Sequence, residues 1–349
     1  MEKLYSLVER LTAYPGVSGF ESTAFDGITK ELSETGLFDE IGRTEVGSVY
    51  GIMRCGRENA PLLLCDAHMD TVGFVVTEIC DGGFLKVAPV GGIAAKILFA
   101  SEVNIYGKKL IRGVFGSKPP HLQEPGESEK KAEVTDLCID TGLDKDALSE
   151  LVRVGTPCGF PVKLHRLLGE KLVGASFDDR LCGAAILRGL MMLDKAALNC
   201  DIAFQFSGGE ETGYKGAMTT AHRLDPDMAI VMDVTHAYVP DAPEWRRGVV
   251  AGGGCDICFS PQTNRAFTER ALRLAQENGI PYQLSAAPGR TGTNSNAVQT
   301  TRAGIPTLLV SVPLKNMHTM SEIVDMRDAY AAARLVAAVA GDIRGRGMQ

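Results

Sequence analysis

Apolar residues recur every three to four positions in the opening stretch Met1-Glu-Lys-Leu-Tyr-Ser-Leu-Val-Glu-Arg10, the spacing of a helix with one buried face. Tyr14-Pro15-Gly16 through Gly19 breaks it, and a second helix is expected from near Glu21 through Ile28 and Leu32. Apolar runs then predict two strands, at 48–53 and 61–67. From about residue 73 to 165 the texture changes. Short strands at 72–79, 83–88, 102–106 and 109–115 are separated by Gly or Asp turns, the spacing of a small β-barrel or sandwich. The polar stretch 117–131 reads as an exposed loop, and the tail 344–349 as frayed.

After Gly174 helices expected at 181–193, 215–222, 264–278 and 328–339 alternate with strands at 202–206, 228–232 and 307–312. Alternation of this kind implies a largely parallel sheet covered on both faces. The expected fold is therefore α/β, a mixed, mostly parallel sheet with helices on both faces, formed by residues 1–72 and 166–349. An all-β, barrel-like insertion at 73–165 interrupts it.

Bulk properties narrow the setting. A chain of 349 residues exceeds one ordinary core, so two domains are expected. Hydrophobic content of 45% and charged content of 23% are those of a soluble globular protein. The net charge of −7 gives no reason to expect nucleic acid or an anionic membrane as partner. No apolar run approaches the ~20 residues of a membrane span, and the N-terminus carries acids and lacks a signal core. Nine cysteines lie scattered in apolar context with no C-x-x-C pair, which fits buried free thiols in a reducing compartment. A soluble cytoplasmic protein is expected.

Candidate chemistry sits at the ends of the predicted strands. Glu210 and Glu211 follow the strand at 202–206 across Ser207-Gly208-Gly209, and open α/β sheets place their ligands at that edge. Four other segments offer groups of the same kind. His68 and Asp70 are two apart, so on an extended segment they face the same way, and an aspartate there can orient a metal-binding imidazole. Asp178 and Asp179 precede a helix, where an N-cap is the ordinary use of aspartate. Asp233 interrupts an apolar strand, and a carboxylate buried there calls for a cation. His318 follows another buried strand. Together these supply two imidazoles and at least three carboxylates with one to spare, a nitrogen and oxygen set suited to catalytic zinc, cobalt or manganese rather than structural zinc. Two ions about 3.5–4 Å apart, bridged by one carboxylate and one water, would use every group, and the surplus glutamate would be the general base.

With these residues in place, the chain resembles the tetrahedral and glutamyl aminopeptidases, metallopeptidase family 42, which also contains sequences labelled cellulase M. The resemblance covers nearly the whole chain. It rests on Ala67-His-Met-Asp-Thr-Val-Gly-Phe74, Gly116-Ser-Lys-Pro-Pro-His121, Ser176-Phe-Asp-Asp-Arg180, Gly209-Glu-Glu-Thr-Gly-Tyr-Lys-Gly216, Met232-Asp-Val-Thr-His236 and Met317-His-Thr319. It implies two divalent ions per subunit, zinc first, with cobalt or manganese as alternatives, held by His68, Asp178, Glu211, Asp233 and His318. Asp178 would be the bridge, Glu210 the proton-shuttling base and Asp70 the residue behind His68. It also implies a cis Asp178–Asp179 peptide, a dimerisation role for the β-rich insertion, and homo-oligomers built from dimers, up to dodecamers. The chain departs from the family's usual Gly-Thr-Asp at Gly292-Thr293-Asn294, which removes a charge near the expected substrate side.

The function expected is a two-metal aminopeptidase acting on peptides, with a metal-bridging water as nucleophile and Glu210 as base. Hydrolysis of another amide, on small N-acyl substrates, is the alternative within enzymes, and a non-catalytic scaffold the alternative outside them. A glycosidase is disfavoured, since sugar sites stack on aromatics and only one Trp is present.

Overall fold

In the computed structural model all residues are described except 117, 119, 123–125, 127–130, 244–247 and 346–349. Most of the loop expected at 117–131, and the end of the tail, lie outside them. In chain order, β1 (Glu40–Arg43), β2 (Val49–Met53) and β3 (Leu62–His68) lead into six further strands, β4 (Gly73–Ile79), β5 (Phe84–Val90), β6 (Glu102–Tyr106), β7 (Leu110–Phe115), β8 (Ile139–Asp140) and β9 (Pro157–Gly159). Then come β10 (His165–Arg166), β11 (Lys171–Gly174), β12 (Asp201–Ser207), β13 (Met228–His236), β14 (Cys255–Phe259), β15 (Tyr282–Ala286), β16 (Thr307–Lys315) and β17 (Glu322–Asp325).

Eleven of these strands form one sheet in the order β1-β2-β12-β3-β13-β16-β17-β11-β10, with β14 on β16 and β15 on β14. Its centre, β12-β3-β13-β16, is parallel, and antiparallel strands flank it. Side chains alternate between faces with period two, and the two faces are covered unequally. Leu63, Cys65, Phe204, Phe206, Ile230, Met232, Val310 and Val312 join the large core under the helices Glu2–Thr12, Phe177–Leu190, Arg265–Glu277 and Met326–Asp342. Leu64, Ala203, Val231 and Leu309 face the other way, against Ala217, Ala221 and Val298 of two shorter helices, Lys215–Leu224 and Ser295–Val298. By the same alternation Asp66, His68, Ser207, Asp233 and Ser311 belong to this thinly covered side, which is where a polar site has room.

The strands β4-β5-β8-β7-β6-β9 close into an antiparallel barrel. Its inward positions fill a separate core: Phe74, Val76, Leu85, Val87, Val103, Ile105, Ile111 and Phe115. Phe74 packs edge-on against Phe115 and Phe160, with ring centroids 5.0 and 5.7 Å apart. Burial alternates along β7, inward at Ile111, Gly113 and Phe115 and outward at Leu110, Arg112 and Val114, although its sequence does not alternate; the turn spacing of the short strands made the region legible as a barrel.

All nine cysteines are unpaired. Among the described residues no helix is long and apolar enough to cross a membrane. Boundaries shift most at Phe177–Leu190, which starts four residues before the expected 181, with Asp178 and Asp179 non-helical inside it. Strands β14 and β15 were not anticipated. Gly252-Gly-Gly254 and the charge of Asp256 hide β14, and β15 is only partly buried.

Candidate metal centre

The predicted ligands come from four central strand ends and one helix start. His68 closes β3, and Asp233 lies in β13. Glu210 and Glu211 follow β12 through a turn that needs glycine: a Cβ on Gly208 would meet the Gly47 carbonyl at 2.0 Å, and Gly209 has φ +71°. His318 follows β16 with φ +62°, and Ser176, two residues before Asp178, has φ +68°. Left-handed backbone at non-glycine residues is costly and collects at functional sites. The Asp178–Asp179 peptide is cis, as the resemblance implied.

Asp178 stands between two clusters. Its Oδ1 is 3.0 Å from His68 Nε2, which is 3.9 Å from Asp233 Oδ1. Its Oδ2 is 3.2 Å from His318 Nε2, and that nitrogen is also 3.2 Å from Glu211 Oε1. Two metal-competent sets result, His68 with Asp178 and Asp233, and Asp178 with Glu211 and His318. They share only Asp178, which offers a different oxygen to each. Glu210 is 8% exposed, and its Oε1 has no hydrogen-bond partner among the described residues. Asp179, the other candidate of its pair, is fully buried outside both sets, and its Oδ2 accepts from the His68 amide.

The electrostatics describe a cluster in want of cations. Burial drives Glu210 up to about 9 despite the opposing pull of His68, with Asp233 and Glu211 adding to the rise. Burial likewise raises Asp233 and Glu211. The histidines are held protonated: burial pulls His318 down, but its contacts with Asp178 and Glu211 overcome this and lift it to about 11. His68 is raised in the same way by Asp178 and Glu210 against its own burial. For Asp178 burial acts upward, and the two imidazoles prevail and depress it. Protons thus fill the place of metal charge, and ligands of this kind release them when a metal binds. The donors fit divalent ions bound by nitrogen and oxygen.

Four supporting contacts refine the expected roles. The Asp70 carboxylate is 3.7 Å from His68 Nδ1, and its main-chain oxygen makes the 2.9 Å contact instead. The carboxylate accepts the amides of Glu210 (3.0 Å) and Glu211 (3.2 Å), so Asp70 holds the acidic turn rather than the imidazole. Glu322, which had no assigned role, is 2% exposed and accepts from the amides of Phe177 at 2.8 Å and His318 at 3.1 Å. His318 Nδ1 lies 2.7 Å from the carbonyl oxygen of Gly92, just past β5, so the barrel region orients a ligand of the sheet. Asn294 is buried beneath the face that carries the site, beside Thr293. It is 1% exposed and donates to Asp66 and Ser207 at 2.8 Å each. Asp70 and Asn294 were marked in the sequence and Glu322 closes the segment His318-Thr-Met-Ser-Glu322; the Gly92 contact uses main chain and left no sequence trace.

A cavity of about 390 Å³ opens from Asp178, Glu211 and His318 towards Val72, Tyr106 and Phe160 on the barrel side. Comparison with known proteins fits this geometry. The lysyl aminopeptidase of Pyrococcus furiosus is 29% identical over 97% of this chain and 97% of its own length. A TET aminopeptidase from a marine sediment archaeon of the Thaumarchaeota superposes with a TM-score of 0.90 and 28% identity, over 98% of this chain and 97% of its own. The TET1 peptidase of Pyrococcus horikoshii, which can assemble into a tetrahedron or a large octahedral shell, gives 0.83 and 26%, over 97% and 100%. Residues 47–335 match the family described as M42 glutamyl aminopeptidase, and the chain belongs to that family.

Proposed function

We propose that this peptidase removes N-terminal residues from peptides, using two divalent ions held by His68, Asp178 and Asp233 on one side and Asp178, Glu211 and His318 on the other. The observation that carries the reading is Asp178, with one oxygen 3.0 Å from His68 and the other 3.2 Å from His318. Ions bound there would supply Lewis-acid polarisation of the scissile carbonyl and a lowered pKa for the attacking water. Glu210 Oε1, buried and unpartnered, accepts the proton of that water and returns it to the departing amine. Asp70 fixes the turn that aims Glu210, and Glu322 ties the amides of Phe177 and His318 together. The barrel is the assembly element of a homo-oligomer built from dimers, a role supported by its separate core and by the shells that the horikoshii enzyme forms.

Hydrolysis of aminoacyl p-nitroanilides, measured with chelator and after return of zinc, cobalt or manganese, tests the reading. Full activity after chelation would overturn the metal assignment. Glu210→Gln should keep both ions and lose roughly 10²–10⁴-fold in rate. A near-normal rate would remove Glu210 as the base.

A further inference from the structure

A second cavity, of about 450 Å³, opens beside the metal centre on the same thinly covered face. Strand register fixes its place. Asp233 pairs with Ser311, and Ser311 pairs in turn with Asp256 on β14. Neighbouring strands lie ~4.8 Å apart, so Asp256 is about 10 Å from Asp233 along this row. Val234, Thr293 and Ser311 line the cavity together with Asp256, and Arg290 lines it as an exposed residue.

Among the described residues Asp256 is only half paired. It is 1% exposed; its Oδ2 accepts from the Ser285 hydroxyl at 2.6 Å, and its Oδ1 has no hydrogen-bond partner among the described residues. Its neighbours on this face of the sheet, Cys258 and Leu309, belong to the apolar core. Burial pushes its carboxyl up to about 6, with the Ser285 bond opposing. A buried carboxylate with one oxygen unpartnered among the described residues is a costly arrangement that a cationic ligand relieves.

We propose that Asp256 selects a cationic side chain, lysyl or arginyl, on the N-terminal residue that the enzyme removes; this rests on the aminopeptidase reading. The substrate's scissile carbonyl lies at the metal ligands, Asp233 among them, so its first side chain must cross towards β14 to meet Asp256. Only a long stem makes that crossing, and lysine carries four carbons. Arg290 argues for the opposite charge, but it is exposed, where water and salt screen it. Asp256 acts from the buried wall, where the effective dielectric is lower and the interaction stronger. The inner group sets the preference.

The test compares lysyl and norleucyl p-nitroanilides, whose side chains share the four-carbon run and differ in the ammonium, with leucyl and glutamyl substrates alongside. In the metal-loaded wild type kcat/KM should favour lysyl over norleucyl by on the order of tenfold or more. Asp256→Asn, close in shape, should bring that ratio down towards one. A ratio unchanged in Asp256→Asn overturns the inference. So does a wild type that prefers norleucyl, or one that prefers glutamyl, and these readings need no folded variant. Cleavage of leucyl and norleucyl substrates without a lysyl preference sinks this inference alone. A wild type that cleaves no aminoacyl substrate sinks the aminopeptidase reading and this inference with it.

Discussion

Replacing Asn294 by Asp probes the hydrogen-bond row beneath the metal centre. Asn294 Nδ2 donates to Asp66 Oδ2 and to Ser207 Oγ, each at 2.8 Å, and Asp66 is fully buried. Burial pushes the Asp66 carboxyl up to about 6, while the Ser207 hydroxyl and the Asn294 amide hold it down. Aspartate keeps the shape of Asn294, removes both donated bonds and sets carboxylate against carboxylate. Two such groups cannot both ionise, so one is forced to keep a proton. Stripping the partner from a buried charge costs ~3–5 kcal/mol, and we expect a stability loss of that order at pH 8. The sign follows from linkage. A carboxyl whose folded pKa is raised carries no penalty below its unfolded value of about 3.9, and the penalty grows as pH rises until the folded pKa is passed. The variant should therefore approach wild type near pH 5 and fall furthest behind at pH 8. Urea unfolding across that range, with both proteins saturated in the same metal, measures the gap. Equal stability at pH 8, or a gap that does not widen with pH, would refute the buried carboxylate pair.

Asp178→Ala should lose metal from both positions together, and elemental analysis showing two ions at full occupancy would refute the bridge. Chelation of the wild type should lower its melting temperature, because ions bound only by the folded state stabilise it at ~2.7 kcal/mol for a hundredfold excess over Kd; an unchanged melting curve would deny the site its ions. Arg180 is fully buried and donates to the carbonyls of Met69 and Leu11. Arg180→Ala leaves both acceptors unpaired at ~1–3 kcal/mol each, so a loss of about 2–6 kcal/mol in urea unfolding is expected, and one below about 1 kcal/mol would contradict the role. Deleting residues 75–161 should give a smaller species by light scattering, and should also cost activity, since it removes the Gly92 carbonyl at His318 Nδ1; an unchanged mass would reject the assembly role.

The sequence by itself determined the outline. Apolar runs ending in His68, Glu210 and His318, together with an aspartate inside the run at Asp233, marked strands and polar ends, because period and burial are local properties of the chain. Gly and Asp turns spacing the short strands between 73 and 165 marked the barrel for the same reason. Tertiary structure decided which atom meets which. His68 and Asp70 do share a neighbourhood, as their spacing required, yet the contact runs through the Asp70 main chain while its carboxylate turns to the Glu210 and Glu211 amides. The position of Asn294 depends on Asp66, 228 residues away in the chain. The Gly92 carbonyl reaches His318 across 226 residues. Asp256 enters the row of Asp233 only because β14, hidden by its glycines, pairs with β16. Hydrophobic period reports which face a residue takes. Strand order and register set its neighbours, and those depend on how distant segments pack together.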